Sequence, residues 1–397
     1  MKKVKISQIM SKPNFPADFL ATILEANADP SIINLGGGMP NAHSFPVKAM
    51  EAAADKVMEK RGVMALQYST AKGYAPLREF IAERYRQRGI DVDISEIIIT
   101  NGSQQALDIF SAVMIDPGDK IIVENPSYFA ALQVFHLYDP VIVPVNLNKD
   151  GIDVAQLEEK IAETSPQFVY MIPNFQNPTG ITYSDGVREA AAKVLQKSNA
   201  IVLEDNPYEA LRFEGRAGKS FACSLGEQCC MLGTFSKTVS PGMRIGWIVC
   251  KREDMYAKML SRKSAMDMHT NMLGQMILYQ YLKDNNFDEQ IAETCKLYKH
   301  NAEFMLACIE KYFPKGAHVN KPEGGMFMWV TLPEGIRGID VQAAAIKKGV
   351  AVIPGDPFYE YERNVNTIRL NFTSFSDEII DKGIRILGEA ISDLLHK

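Results

Sequence analysis

Short apolar segments that alternate with helix-like stretches constrain the fold of this chain more than any other feature. Residues 103–115 have apolar side chains at helical spacing, and residues 185–197 are also helix-like. The apolar segments, each as short as a buried strand, are KIIVE (120–124), FVYMI (168–172), AIVLED (200–205), CCMLGTF (229–235) and RIGWIVC (244–250). The alternation predicts an α/β domain with a mainly parallel sheet flanked by helices.

The pattern changes beyond about residue 285, where a long charged helical stretch precedes the strand-like segments MFMWVTL and TIRLNF. This change predicts a smaller α+β domain near the C-terminus. We assign residues 46–284 to the large domain, and residues 1–45 together with 285–397 to the small domain. A chain of 397 residues is long enough for both.

Composition and charge narrow the classes of function. The net charge of −5 argues against a nucleic-acid partner, because neutralising phosphates needs a concentrated positive field. The basic stretch 251–263 contains interleaved acids at helical spacing, which favours a solvated helix face. No segment has the apolar run of a secretion signal or a membrane span. The six cysteines and six histidines show no metal-binding spacing. We therefore expect a cytoplasmic enzyme that binds no metal, membrane or nucleic acid.

Polar residues follow several of the predicted strands. Asp205 ends AIVLED, Lys237 comes shortly after CCMLGTF, and the string PNFQNPTG (173–180) follows FVYMI. In open α/β sheets, ligands bind outside the carboxyl ends of the strands. The N-terminus of the predicted helix 103–115 adds free N–H groups and a favourable dipole for an anion. The sequence thus predicts one crevice that holds a phosphate seat, a carboxylate, an amide and a lysine.

These side-chain types suit one kind of cofactor chemistry. A partly desolvated lysine with cationic neighbours can form an imine with an aldehyde cofactor. A buried carboxylate opposite a pyridine nitrogen keeps that nitrogen protonated, so that the ring can absorb the electrons of a carbanion. An arginine can hold a substrate α-carboxylate through two parallel hydrogen bonds.

The strings PNFQNPTG, EDNPYEALRF and TFSKTVSPGMRIGW occur in this order. With them the chain resembles the fold-type I, pyridoxal-phosphate-dependent aminotransferases of class I/II. The string NLGGGMPNAHSFP is similar to the subgroup of 2-aminoadipate, kynurenine and archaeal-type aromatic aminotransferases. The resemblance runs from about residue 15 to about residue 375. It implies a fold-type I transferase, pyridoxal 5′-phosphate as the cofactor, and a homodimer with active sites at the subunit interface.

The resemblance also implies roles for residues at matching positions. Lys237 matches the lysine that holds the cofactor as a Schiff base and moves the substrate α-proton. Asp205 matches the carboxylate that faces the pyridine nitrogen. Asn177 and Tyr208 match the pair at the ring hydroxyl, and Asn177 also lies beside the substrate. Arg369, in TIRLNF, matches the arginine for the substrate α-carboxylate.

The remaining matches surround the cofactor and the substrate. Tyr128 matches the aromatic residue stacked on the pyridine ring. Tyr68 matches a tyrosine that reaches the phosphate from the neighbouring subunit, and Gly37 matches a glycine whose backbone closes over the substrate. The matches to the phosphate cradle are Ser103, Gln104, Thr234, Ser236 and Arg244. Plainer alternatives stay open, since Ser103 and Gln104 could simply begin their helix, and Tyr128 could be a packing aromatic.

The family activity implied is a ping-pong transfer of an α-amino group from an amino acid to a 2-oxo acid such as 2-oxoglutarate. One alternative is another reaction on the same cofactor, such as β-elimination or decarboxylation. A second alternative is a non-enzymatic effector-binding module, as in transcription regulators with an aminotransferase-like domain. Those follow an N-terminal DNA-binding domain, for which we expect no room because the family strings begin within the first 40 residues.

The N-terminal segment bears on the substrate side chain. Some relatives in the aminoadipate subgroup hold an acidic side chain with an arginine there, whereas the first arginine in this chain is Arg61. The corresponding stretch, FPADFLATIL, offers Asp18 and Phe19 instead. We therefore expect aromatic or large aliphatic donors to be favoured, with 2-aminoadipate as the alternative. Lys12 is the cation that could serve a distal carboxylate.

Overall fold

The structure is a computed structural model that describes residues 4–7, 9–12 and 31–396. The strands in chain order are β1 (Ile33–Asn34), β2 (Ile97–Thr100), β3 (Lys120–Asn125), β4 (Val141–Asn148), β5 (Gly151–Ile152), β6 (Phe168–Met171), β7 (Ile201–Asp205), β8 (Cys229–Thr234), β9 (Gly246–Val249), β10 (His318–Val319), β11 (Phe327–Thr331), β12 (Val350–Ala351), β13 (Ile353–Pro354) and β14 (Thr367–Asn371). The α-helices are α1 (Val47–Ala65), α2 (Ala75–Gln87), α3 (Ser103–Met114), α4 (Phe129–His136), α5 (Val154–Thr164), α6 (Asp185–Gln196), α7 (Ala222–Leu225), α8 (Glu253–Asp267), α9 (Met272–Asp284), α10 (Phe287–Tyr312), α11 (Gly338–Ile346) and α12 (Asp377–Leu395).

A large sheet of eight strands has the order β2-β9-β8-β7-β6-β3-β4-β5. The run from β8 to β4 is parallel, as the alternation of strands and helices predicts. Strand β9 is the exception inside the sheet, because it runs antiparallel to both of its neighbours, β2 and β8. The five apolar segments picked from the sequence all form strands of this sheet.

Apolar side chains cover both faces of the large sheet. In β7, Ile201 and Leu203 join the cluster on one face, while Val202 joins the cluster on the other. Helices α3 and α4 pack on the first face, and α1, α2, α6 and α9 pack on the second. Burial on both faces explains why these strands are apolar throughout and do not alternate between apolar and polar residues.

A second sheet of four strands, with the order β10-β11-β14-β13, is antiparallel and lies in the C-terminal part of the chain. Helix α12 packs with α10, whose side chains contribute to both of the apolar clusters that cover the large sheet. Strand β1 pairs in parallel with β12, and so ties residues 33–34 to this C-terminal part. The prediction of an α/β unit with a smaller α+β unit is confirmed. The boundaries at residues 46 and 284 stay a prediction.

The basic stretch 251–263 departs at Lys263 from its interpretation as a solvated helix face. It forms most of α8, but the side chain of Lys263 is completely buried. Its Nζ lies 2.5 Å from Oδ1 of Asp267, one helical turn on. Asp267 in turn accepts hydrogen bonds from Asn101 and Gln105 at the start of α3. A lysine can be buried when a carboxylate pairs with it, whereas an unpaired lysine is too costly to bury. The spacing of charges along the chain did not predict that this pair is buried.

Residues 4–7, 9–12 and 31–396 contain neither a helix that could cross a membrane nor a cluster of three or more side chains that could hold a metal ion. No helix in these ranges is long and apolar enough to cross a membrane. No group of three or more His, Cys, Asp or Glu side chains there could hold a metal ion.

Candidate active site

A cavity of about 300 Å³ lies at the carboxyl edge of the large sheet. Its walls come from the ends of β7 and β8, the loop after β6, the start of α3, and strand β14 of the small sheet. Most of the residues singled out from the sequence line it: Ser103, Gln104, Tyr128, Asn177, Asp205, Tyr208, Thr234, Ser236, Lys237, Arg244 and Arg369. The polar residues that follow separate strands therefore meet in one place.

One end of the cavity is built to receive an anion. Helix α3 begins there without a side-chain cap, so its first N–H groups are free. The hydroxyl of Thr234 donates to Oγ of Ser236 at 2.9 Å, and Nη1 of Arg244 lies 3.4 Å from the same oxygen. A helix N-terminus, hydroxyl groups and a guanidinium together make a seat for a phosphate group.

The reversed direction of β9 brings Arg244 to this seat. Thr234 and Thr100 are both paired with Gly246, so the start of β9 lies at the edge where β2 and β8 end. Gly102 lies directly beside the guanidinium, and a Cβ added there would meet Nη2 of Arg244 at 2.5 Å. Glycine at this position, with φ of 77°, leaves the room that the arginine occupies.

Lys237 projects into the middle of the cavity. Its Nζ donates to the backbone oxygen of Gly38 at 2.6 Å. Burial, together with the positive charges of Arg369 and Arg244, lowers the pKa of Lys237 to about 8. A substantial neutral fraction at slightly alkaline pH makes this amine a nucleophile and a base.

Asp205 is a buried carboxylate with one free oxygen. Its Oδ2 accepts a hydrogen bond of 2.8 Å from the hydroxyl of Tyr170, while Oδ1 is buried without a partner. Burial raises the pKa of Asp205 to about 6, although the hydrogen bond from Tyr170 opposes that rise. A buried acceptor without a donor is costly, so this oxygen fits a ligand that presents an N–H group.

Arg369, Asn177 and Tyr208 form a chain of contacts across the cavity. Nη1 of Arg369 donates to Oδ1 of Asn177 at 2.7 Å, and Nδ2 of Asn177 donates to the Tyr208 hydroxyl at 3.2 Å. The guanidinium lies over the ring of Phe327 at 4.1 Å, and its Nε is buried without a partner. Burial lowers the pKa of Arg369 to about 10, and the group stays cationic at neutral pH. The unpartnered nitrogen fits an incoming carboxylate.

The free groups together match one kind of ligand. The anion seat, the bare Oδ1 of Asp205 and the amine of Lys237 suit a phosphate, a pyridinium N–H and an aldehyde, respectively. The residues present therefore fit pyridoxal phosphate.

A buried network behind the cavity was missed in the sequence. Glu124, at the end of β3, accepts hydrogen bonds from the backbone N–H of Ile172, the Tyr183 hydroxyl and Nε2 of Gln176, at 2.9, 2.6 and 2.8 Å. Burial raises the pKa of Glu124 to about 7. These bonds hold the loop that carries Asn177. The acid at the end of KIIVE was a signal in the sequence, because ligand sites in such sheets lie where the strands end.

Some predicted residues lie away from the cavity. Tyr68 is 76% exposed and packs edge-on against His269. Gly37 does not line the cavity, whereas the next residue, Gly38, does, and the carbonyl of Gly37 accepts from Asn371. The roles predicted for Tyr68 and Gly37 stay predictions.

Most of the residues expected to contact the substrate side chain fall in the N-terminal segment. Asp18 and Phe19 lie outside the described residues. Lys12 is described, and its Nζ pairs with Oδ2 of Asp139 at 2.5 Å, with both side chains about half exposed.

Solved structures with this architecture define the class of protein. A kynurenine aminotransferase from Pyrococcus horikoshii has a TM-score of 0.91 at 38% identity, over 98% of this chain and 97% of that chain. An α-aminoadipate aminotransferase from Thermus thermophilus, complexed with N-(5′-phosphopyridoxyl)-L-leucine, has a TM-score of 0.90 at 34% identity, over 98% and 100% of the two chains. The fold is that of the fold-type I transferases that depend on pyridoxal phosphate.

The sequence places the chain within that class. Residues 30–387 match the family of class I and II aminotransferases. An aromatic-amino-acid aminotransferase from Thermococcus litoralis is 41% identical over 374 residues, which are 92% of this chain and 89% of that protein. The chain belongs to the class I and II aminotransferases, and its reaction is amino-group transfer. The predictions of fold class and of aminotransferase activity are confirmed.

Proposed function

We propose that this aminotransferase moves an α-amino group from an aromatic or large aliphatic amino acid to a 2-oxo acid such as 2-oxoglutarate. The observation that carries the proposal is the shared cavity of Lys237, with its lowered pKa, and Asp205, with its unpartnered Oδ1. When bound there, pyridoxal phosphate supplies an aldehyde that condenses with amines and a ring that withdraws electrons from the substrate α-carbon.

Different residues around the cavity hold the cofactor and move the proton. Nζ of Lys237 removes the proton from the substrate α-carbon and later returns one, which its pKa of about 8 allows. Asp205 would keep a proton on the ring nitrogen through Oδ1. Asn177 and Tyr208 would hold the ring hydroxyl, and Tyr128 would pack on the ring.

The substrate is held by its α-carboxylate. Arg369 offers its unpartnered Nε beside Asn177, and the backbone at Gly38 covers the amine of Lys237. The amino-acid donor and the 2-oxo acid acceptor each carry an α-carboxylate, so one arginine can bind the substrate in both halves of the reaction. The product of the first half leaves before the acceptor binds, which gives ping-pong kinetics.

The walls of the cavity favour an apolar substrate side chain. Met39, Phe129, Phe327 and Ile353 supply apolar surface. Within the described part of the chain, the cations among the lining residues are Lys237, Arg244 and Arg369, and each already has a role. The leucine adduct in the Thermus relative and the aromatic substrates named for the Thermococcus relative agree with this preference.

2-Aminoadipate is the second candidate donor, because a relative that acts on it is 35% identical over all of this chain. The test compares kcat/KM for phenylalanine, leucine and 2-aminoadipate, with 2-oxoglutarate as the acceptor. We expect phenylalanine or leucine to exceed 2-aminoadipate by at least about tenfold, or about 1.4 kcal/mol in transition-state binding. A tenfold advantage for 2-aminoadipate would reverse the assignment, and Lys12→Ala would then show whether Lys12 serves the acid.

The same assay separates transamination from other reactions. A transaminase converts the 2-oxo acid acceptor stoichiometrically with the donor, whereas β-elimination and decarboxylation consume the donor alone.

We further propose a homodimer in which Tyr68 reaches the partner's phosphate seat, since this tyrosine is exposed and lies outside its own cavity. Sedimentation of the protein and the cofactor affinity of Tyr68→Phe test this assembly.

A further inference from the structure

Tyr170 lies beneath Asp205, on the neighbouring strand of the large sheet. Strands β6 and β7 run parallel, with Tyr170 paired to Leu203. The Tyr170 side chain is fully buried, and its ring packs edge-on against Phe135 at 5.4 Å between centroids. Its hydroxyl donates to Oδ2 of Asp205 at 2.8 Å.

The hydrogen bond from Tyr170 gives the two oxygens of Asp205 different environments. A phenol has one proton to donate, and Tyr170 gives it to Oδ2. Oδ1 is left buried and without a donor, on a residue that lines the cavity. Burial and the charge of Asp205 raise the pKa of Tyr170 well above its ordinary value, so the phenol stays a donor.

We propose that Tyr170 is a positioning residue that fixes Asp205, so that Oδ1 is the oxygen presented to the cofactor ring nitrogen. This inference rests on the proposed function, because it takes the cavity to be the site of pyridoxal phosphate. The hydrogen bond does a second task, since it stabilises the ionised carboxylate against the cost of burial.

The backbone N–H of Asn206 also lowers the pKa of Asp205, and several ionisable side chains lie around it. The ionisable groups packed around it or sharing its cavity are Tyr170, Glu124, Tyr128, Tyr208, Lys237, Arg369 and Arg244. Of these, Tyr170 is the one whose side-chain hydrogen bond to Asp205 lowers its pKa. Removing the hydrogen bond from Tyr170, while the other neighbours of Asp205 stay in place, isolates what this bond contributes to the pKa of Asp205.

A second buried tyrosine–carboxylate pair, formed by Tyr183 in the loop before α6 and Glu124 in β3, provides a matched control. Tyr183 is equally buried, and its hydroxyl donates to Oε1 of the buried Glu124 at 2.6 Å. Glu124 does not line the cavity. Tyr183→Phe and Tyr170→Phe therefore remove the same atom from the same kind of bond, and only one of the two carboxylates faces the cofactor site.

The experiment measures two quantities in the full-length protein. The first is the Kd of the apoenzyme for pyridoxal phosphate, followed by quenching of intrinsic fluorescence. The second is the pH at the acidic limb of kcat/KM. We expect Tyr170→Phe to raise the Kd about tenfold and to move the acidic limb up by about one pH unit, because the ionised form of Asp205 loses a donor. Tyr183→Phe should move the acidic limb by less than Tyr170→Phe does, because Glu124 lies behind the cavity and does not line it.

A double-mutant cycle with Asp205→Asn decides whether Tyr170 acts through Asp205. In the Asp205→Asn background, Tyr170→Phe should change the Kd by less than about twofold, because the carboxylate it positions is gone. An equal effect in both backgrounds, or an acidic limb that does not move, would overturn the proposal. Failure of the wild-type protein to bind pyridoxal phosphate would instead overturn the proposed function. The melting temperature of each apo variant shows whether a loss reflects unfolding.

Discussion

Arg369 and Asn177 meet across the cavity, where Nη1 of the arginine donates to the amide oxygen at 2.7 Å. They are 192 residues apart in the sequence, and Arg369 lies in the small sheet while Asn177 follows a strand of the large one. One contact thus couples the group proposed for the substrate carboxylate to the group proposed for the cofactor hydroxyl. The position of the small sheet relative to the large one therefore affects both sites at once.

Replacing this arginine should separate substrate binding from cofactor binding. Arg369→Lys keeps a positive charge but loses the planar fork that reaches Asn177, Gly36 and a carboxylate together. A lost charge-assisted hydrogen bond amounts to about 1.5–3 kcal/mol, so we expect kcat/KM to fall about 10- to 150-fold. Steady-state kinetics should assign most of the loss to KM. A wild-type KM would contradict the role of Arg369.

Lys237→Ala tests the amine. The variant should fold, lose covalent attachment of cofactor after borohydride reduction, and lose nearly all turnover. In the wild-type apoenzyme, the reactivity of Lys237 towards trinitrobenzenesulfonate should rise with a midpoint near its pKa of about 8. Peptide mapping of the labelled protein identifies the residue. A variant with normal transamination would remove the central claim.

Asp205→Asn tests the ring nitrogen. The amide is nearly isosteric, but it cannot hold a pyridinium proton by charge. We expect removal of the α-proton to slow by several orders of magnitude, measured in a single turnover, with a smaller loss of cofactor affinity. A slowing below about tenfold, or about 1.4 kcal/mol, would mean that Asp205 only supports the turn that follows β7.

The buried carboxyl of Asp205 also predicts a pH dependence of stability in the apoenzyme. Because burial raises the pKa of Asp205 from 3.8 to about 6, the unfolded chain ionises before the folded one does. The contribution of Asp205 to the free energy of unfolding is therefore fully present below about pH 4, and it is lost as the pH rises through about 6. The loss is on the order of 3 kcal/mol for wild type relative to Asp205→Asn. Melting temperatures from pH 4 to pH 7 measure this difference, and parallel curves would contradict the raised pKa.

Gly102→Ala tests the anion seat against a matched glycine. Gly102 and Gly89 both have φ of 77°, so an alanine costs about 1–2 kcal/mol of backbone strain at either position. At Gly102 the new Cβ also displaces Arg244, whereas at Gly89 nothing lies within 4 Å. We expect Gly102→Ala to weaken pyridoxal phosphate binding at least about tenfold, and Gly89→Ala to leave the Kd unchanged. Equal Kd values in the two variants would contradict the seat.

The sequence was informative where a polar residue interrupts an apolar pattern. Asp205 and Lys237 follow buried strands, and the rule that ligands bind at strand ends brought them to one crevice. Tyr170 was missed because a tyrosine inside FVYMI has the same pattern as a packing aromatic. Its role depends on the strand beside it, and the order of strands in the sheet is not written in the local sequence.

Other differences between the predictions from the sequence and the structure also arise because local sequence does not specify which elements become neighbours. The segment RIGWIVC predicts a strand but not its direction, and only the reversed direction brings Arg244 to the cavity. The stretch 251–263 predicts a helix, but not the burial of Lys263 against Asp267. Substrate preference depended on Asp18 and Phe19, which lie outside the described residues, and so it stays a prediction.

The insertion of β9 between β2 and β8 also sets an order of events during synthesis on the ribosome. Strand β2 emerges early, but its partner in the large sheet is β9, which follows every other strand of that sheet in the chain. Until Gly246 has been made, β2 and β8 each keep an open edge, and open edges promote aggregation. Arg244 is made only just before that strand, so a chain that ends before it also lacks the guanidinium of the anion seat. Completion of the sheet and completion of the anion seat are one late step.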